Sequence, residues 1–225
     1  MCIRDRSISF LFLFVFHHCI NAQNETPNSI SDTNRIEIIH ISTFKESSNQ
    51  SGLTRELIGD VHVRQKDMNL WCEKAFLLPQ KQIRASDSVQ ILQGDTIRIF
   101  SDSLYYDGFS RRAELNSNVV LKDSIMQLFT DQLFYDLNTK IADFPNPTIV
   151  QRDSVYMIAQ SGNYSAKTGL AHFQDSVKIL HAEYRMNADV LDFDLLNNIA
   201  YFDGPTKVYN NEKLCLLYTS PSPRD

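Results

Sequence analysis

Between Met68 and Phe202 the chain repeats itself every 29 residues: RIFSDSLYYD (Arg98 to Asp107) returns as QLFTDQLFYD (Gln127 to Asp136), 127 less 98 being 29. The phase holds in both directions. Glu73, Asp102, Asp131, Gln160 and Asp189 share one column, and Leu77, Tyr106, Tyr135, Tyr164 and Phe193 another. Ala113, Ala142, Ala171 and Ala200 form a third, with Leu115, Phe144, Phe173 and Phe202 two places on. A fixed period between ~20 and ~50 residues restricts the fold to architectures in which each unit buries its apolar face against its neighbours.

Each unit holds two extended pieces separated by turn signals. In IRIFSDSLYYD, alternation puts Ile97, Ile99, Leu104 and Tyr106 on one side and Arg98 on the other, with the phase adjusted at the central Ser-Asp. A spacing of two, carried by β-branched and aromatic residues, specifies strand rather than helix. Inward columns are Met68, Ile97, Met126, Val155, Tyr184; Leu70, Ile99, Leu128, Met157, Met186; Ala75, Leu104, Leu133, Gly162, Leu191; and Leu121, Val150, Ile179, Val208. The column Asn69, Arg98, Gln127, Tyr156, Arg185 faces water. Between the inward pairs a small residue stands next to a polar one, which marks a bend where the sheet folds over into two walls joined at a spine. The expected fold class is therefore all-β, a repeat-built, folded-over antiparallel sheet. Two turn signals per unit favour a meander of long bent strands over a parallel β-helix, which stays open as the alternative.

The ends read differently. MCIRD and CLLYTSPSPRD back-translate into sequence resembling a transposase mosaic-end adapter and its reverse complement, so residues 1–5 and 215–225 are set aside as adapter read-through. Residues 6–22 read as a secretory signal: Arg6, an apolar run from Ile8 to Phe16, and Asn21-Ala22 before Gln23. That run falls short of the ~20 residues of a membrane helix. Residues 23–34 form a polar leader and 35–214 the repeat domain, truncated at its end. Arg35 to Phe44 reads as an edge strand and KESSNQSG (Lys45 to Gly52) as a loop by composition.

With those ends removed, only Cys72 remains of four cysteines, so no internal disulfide staples the domain. The net charge becomes -6, from 22 Lys and Arg less Arg4, Arg6 and Arg224, against 27 Asp and Glu less Asp5 and Asp225. An acidic domain without clustered Lys and Arg excludes nucleic acid as the expected partner. Catalytic motifs are absent: His40, His62, His172 and His181 are isolated, and neither H-E-x-x-H, G-x-S-x-G nor a Gly-rich phosphate loop occurs. The expectation is no enzyme, no metal and no cofactor. Asp107, Asp136 and Asp194 at strand ends suit turn initiation through side chain to backbone hydrogen bonds.

GDVHVRQKDMNLWCEKAFL (from Gly59), QGDTIRIFSDSLYYDGFSRRAELNSNVVL (from Gln93), LFTDQLFYDLNTKIADF (from Leu128) and GPTKV (from Gly204) resemble the OstA-like family. That family includes the periplasmic lipopolysaccharide-transport protein LptA and the N-terminal domain of the outer-membrane protein LptD. The phrasing is most similar to OstA-like proteins of Bacteroidetes-type bacteria. The resemblance runs from about Asn34 to Leu214. It implies a V-shaped β-jellyroll whose apolar groove takes the acyl chains of lipopolysaccharide or a similar lipid. It further implies a place in the periplasm or on the periplasmic face of the outer membrane. The implied partners are other OstA-like or Lpt proteins, stacked through strand edges, with homo-oligomers by the same route.

On that reading the lipid groove is lined by Ile97, Ile99, Leu104, Tyr106, Leu121, Met126, Leu128, Leu133, Tyr135, Val150, Met157, Ile179, Met186 and Leu191. The competing reading is a structural β-solenoid, scaffold or adhesin, with a filled core. Apolar columns alone favour neither, because a packed core has the same sequence pattern. The flexible side chains of Met126, Met157 and Met186, suited to an adaptable lipid surface, add weight to the groove.

Overall fold

Alternating apolar and polar residues build strands, and in the computed structural model, which describes residues 34–49, 52–210 and 213–218, almost every described residue outside a turn is in one. The expectations for residues 1–5, 6–22 and 23–33, and for 219–225, lie outside the described residues. The strands are β1 (Glu37–His40), β2 (Thr43–Asn49), β3 (Gly52–Gln65), β4 (Met68–Leu78), β5 (Gln82–Gln93), β6 (Ile97–Asp107), β7 (Arg112–Lys122), β8 (Gln127–Asp136) and β9 (Ile141–Phe144). There follow β10 (Thr148–Arg152), β11 (Val155–Ala159), β12 (Ser161–Ser165), β13 (Leu170–Leu180), β14 (Tyr184–Asp194), β15 (Ile199–Asp203), β16 (Pro205–Asn210) and β17 (Lys213–Tyr218). The pairings are all antiparallel, and the chain runs from β2 to β9 as a continuous meander.

The short strands are broken long ones. β9 and β10 pair with the two halves of β8, and the break between them falls at Pro145-Asn146-Pro147. β11 with β12, β15 with β16, and β1 with β2 divide in the same way around their neighbours. Each complete strand therefore crosses two walls. Turns such as Asp67, Gly94 and Asp153 bound the first wall, and Gly108, Leu137 and Leu195 bound the second.

The fold line differs from the sequence expectation in one respect. The backbone irregularity sits on the strand facing the small-polar pair, where two residues oppose one. Gly59 and Asp60 lie opposite Glu73, Asp87 and Ser88 opposite Asp102, Ser117 and Asn118 opposite Asp131, and Asp175 and Ser176 opposite Asp189. All eight have positive φ, between 48° and 77°. Such paired left-handed residues form β-bulges that bend a strand, and Gly, Asp, Ser and Asn are the types that tolerate them at least cost. Just inside the bend the small column Cys72, Ser101, Thr130, Ala159 and Ala188 is buried against Val61, Val89, Val119, Thr148 and Val177. Small side chains there let the walls meet.

One further expectation is corrected. Lys45 to Asn49 is not loop: β2 pairs with β3 from Thr43 opposite Ile58 to Asn49 opposite Gly52. An edge hairpin needs no apolar face, so composition alone misassigned it. Ala200 is exposed, whereas Ala113, Ala142 and Ala171 are buried as a column. β17 takes in Cys215 to Tyr218, which read as adapter in the sequence, because backbone pairing with β16 asks little of side-chain identity.

Candidate functional site

The interior between the walls is the candidate site, since every inward column converges on it. On the first wall Met68, Leu70, Ile91, Ile97, Ile99, Leu121, Met126, Leu128, Val150, Met157 and Ile179 point in and are buried. On the second, Ala75, Ile83, Leu104, Leu115, Leu133, Phe144, Phe173 and Leu191 do the same. Of the groove residues expected from sequence, all are buried except Met186, which is half-buried. Ile99, Leu121, Leu128 and Leu133 are 0% exposed. The interior is packed, and the surface depressions found among the described residues lie outside it. One of them is cut into the outer second wall between Tyr105, Glu114, Phe134 and Asp143.

Opposite the fold line, the walls are joined by a hydrogen-bonded seam that recurs with the repeat. Gln65, Gln93 and Asp123 end first-wall segments, and Tyr106, Tyr135 and Tyr164 reach them from the second wall. The Tyr135 hydroxyl donates to Gln93 Oε1 at 2.7 Å. Gln93 Nε2 donates to the Leu137 carbonyl at 2.7 Å and to Asp67 at 2.8 Å. Tyr106 donates to Gln65 Oε1, and Gln65 Nε2 donates to the Gly108 carbonyl at 2.8 Å. Tyr164 donates to Asp123, whose other oxygen accepts the Ile125 and Met126 amides. Arg111 adds an ion pair to Asp67 across the same seam.

Burial governs the electrostatics of these rungs. It pushes the Tyr106 phenol up to about 12, against an opposing pull from the Arg111 guanidinium. It raises Tyr135 and Tyr164 further still, the latter helped by the neighbouring Asp123 carboxylate. Asp67 is held below the usual carboxylate range: burial opposes ionisation, but hydrogen bonds from Gln93 and Arg111 outweigh it. The phenols therefore stay protonated donors at ordinary pH.

The seam changes at the next unit. Phe193 stands in the tyrosine column, with the Arg152 guanidinium 5.9 Å from its ring centroid, a contact with no hydroxyl to donate. From there the interior loosens, with Met186, Phe193 and Phe202 half-buried. Sequence reasoning had Tyr106 and Tyr135 as groove lining and missed their partners. The signal was there: Gln65 follows Val61 and Val63, and Gln93 follows Val89 and Ile91, each at spacing two, so a polar residue occupies an inward position.

The remaining candidate groups are structural. Asp107, Asp136 and Asp194 each accept backbone amides of the following turn, from Phe109 at 2.9 Å, Asn138 at 2.8 Å and Asn197 at 3.0 Å. His62 stacks on Trp71 at 4.6 Å, and His172 bonds Asp192 at 2.6 Å on the outer second wall. Among the described residues no group of His, Cys, Asp and Glu is placed to hold a metal ion. Cys72 is buried, and burial pushes its thiol up to about 12, away from the range of a reactive thiolate.

A family model described as OstA-like protein matches residues 33–189 and, again, residues 143–219. A solved structure, LptH, the LptA homologous periplasmic component of the conserved lipopolysaccharide transport device from Pseudomonas aeruginosa, matches with a TM-score of 0.44 at 13% identity. That match covers 55% of this chain and 95% of the other. No curated protein matches the chain.

Proposed function

The chain belongs to the OstA-like protein family, and we propose that it is a periplasmic component of lipopolysaccharide transport that shields acyl chains between its two walls. The observation that carries the proposal is one continuous apolar interior whose hydrogen-bonded seam runs through Tyr164 and lapses at Phe193. A lipid enters where the seam is weakest, among Met186, Phe193 and Phe202, and the walls part rung by rung as it advances. Magnitudes make this feasible. Each neutral hydrogen bond contributes about 1 kcal/mol net. Each methylene removed from water contributes about 0.8 kcal/mol. With the Tyr164 bond to the Asp123 carboxylate counted at about 2 kcal/mol, about five methylenes thus offset the three tyrosine rungs, and a full acyl chain has more.

Met126, Met157 and Met186 favour such repacking, because unbranched thioether side chains accommodate irregular apolar partners. The other reading, a scaffold with a permanently filled core, is favoured by the complete burial of Ile99, Leu121, Leu128 and Leu133. Titration of the purified protein with acylated and with deacylated lipopolysaccharide separates the two. Binding of the acylated form alone, little affected by salt, supports the interior route, since apolar burial is not screened. Equal binding of both forms, or no binding of either, removes it.

A further inference from the structure

The outer face of the first wall has a composition that neither the packed interior nor the seam requires. Cross-strand pairing sets its residues in two ladders. The ladder nearer the fold line runs through Trp71, Gln90, Phe100, Val120, Phe129, Ile149 and Ile158, brought side by side by the strand registers. All are partly exposed, Ile149 to 43%. The outer ladder passes through Arg98, Lys122, Tyr156 and Arg185, and Lys178 and Lys207 extend the inner one. From β3 to β16 neither ladder holds a carboxylate.

In an acidic chain this is a segregation of charge. The corresponding ladder on the outer second wall carries Glu56, Glu114, Asp143 and Asp192 against Arg84. The carboxylates of the fold line, among them Glu73, Asp102 and Asp131, project at the bend. At the opposite margin Asp67 and Asp123 are engaged across the seam by Arg111 and Tyr164, Asp95, Asp153 and Glu183 stand exposed in the turns, and Glu37 on β1 is paired with Arg64. Among the described residues Arg98, Lys178, Arg185 and Lys207 make no ion pair, and Lys122 lies 5.8 Å from the Phe100 ring centroid.

We propose that this face is a docking surface for an anionic lipid bilayer. The face spans eleven strands, roughly 50 Å at ~4.8 Å per strand, broad enough to meet many headgroups at once. Long cationic side chains reach phosphate while their stems and the aromatic stripe rest at the acyl boundary. The acidic second wall and fold line turn away, which fixes the orientation. The surface is separate from the interior, and the proposal stands whether or not acyl chains enter there.

Vesicle co-sedimentation of the purified protein tests it, with phosphatidylglycerol and phosphatidylethanolamine vesicles set against pure phosphatidylcholine. Binding is expected to the anionic vesicles only, weakened by salt. The triple variant Arg98→Glu, Lys122→Glu, Arg185→Glu should lose well over about a hundred-fold in affinity, since three cations near the membrane surface are not only removed but replaced by three anions. Arg84→Glu, Arg112→Glu, Lys167→Glu makes the same change of charge elsewhere and should keep binding. Should the first triple fail to fold, Ile149→Ser with Tyr156→Ser removes exposed apolar groups and should lower binding at high salt. Equal losses in both triples overturn the proposal. So does absence of vesicle binding, including the case where sedimentation shows the face instead mediating self-association.

Discussion

Removing the hydroxyl of Tyr135 isolates one rung of the seam. Tyr135 and Gln93 are each 1% exposed, and their bond is 2.7 Å. In Tyr135→Phe the ring still fills its place, but Gln93 Oε1 is left buried without its donor, while Gln93 Nε2 keeps Leu137 and Asp67. An unsatisfied buried acceptor costs about 1–3 kcal/mol. In a chain of this size that lowers Tm by roughly 2–12 °C, at about 2–4 °C per kcal/mol. Gln93→Met strands the hydroxyl and the Leu137 carbonyl in turn, so it should cost at least as much. The double variant should be milder than the sum of the two by about 1 kcal/mol, because the second change removes a partner already lost. Thermal and urea unfolding of the four proteins measure this cycle. Additivity within ~0.3 kcal/mol, or a neutral Tyr135→Phe, would refute a cross-wall hydrogen bond there.

High pH should act on the same rungs. In the unfolded chain the phenols ionise near pH ~10, whereas burial holds Tyr106 to about 12 and Tyr135 and Tyr164 higher. The folded state then binds more protons than the unfolded, so stability is intact below pH ~10 and falls as pH rises toward about 12 and beyond. Urea midpoints measured on either side of pH ~10 should show that fall, and it should shrink in the Tyr-to-Phe variants. Ala142→Arg places a guanidinium at a position 0% exposed, in the second wall opposite Tyr135 and Tyr164, and should leave the protein unfolded by circular dichroism. A folded Ala142→Arg protein would mean that the inward columns are misassigned.

What the sequence disclosed was whatever repeats at strand spacing. Ile99, Leu128 and Met157 could be placed inward, and Arg98 and Gln127 outward, because period two and period 29 agree at each of them. The bulges were harder. Asp87-Ser88 and Ser117-Asn118 look like turn residues, and only three-dimensional pairing reveals them in mid-strand, opposite Asp102 and Asp131. The seam was hidden for another reason: Tyr135 and Gln93 are 42 residues apart, a separation unrelated to the repeat, since it links different units across the walls. The charge segregation of the outer faces was also out of reach, because it depends on which half of each bent strand a residue occupies. Gln65 and Gln93 stand as the readable exception, polar residues at inward positions.

The central claim, that acyl chains travel between the walls, is tested most directly by photo-crosslinking in cells. A crosslinking amino acid is placed at Leu128 or Met157, both inward and buried, and at Glu114 on the outer second wall. The account expects lipopolysaccharide adducts from Leu128 and Met157 and none from Glu114. Adducts from all three positions alike, or from none, would contradict it and leave a permanently filled core.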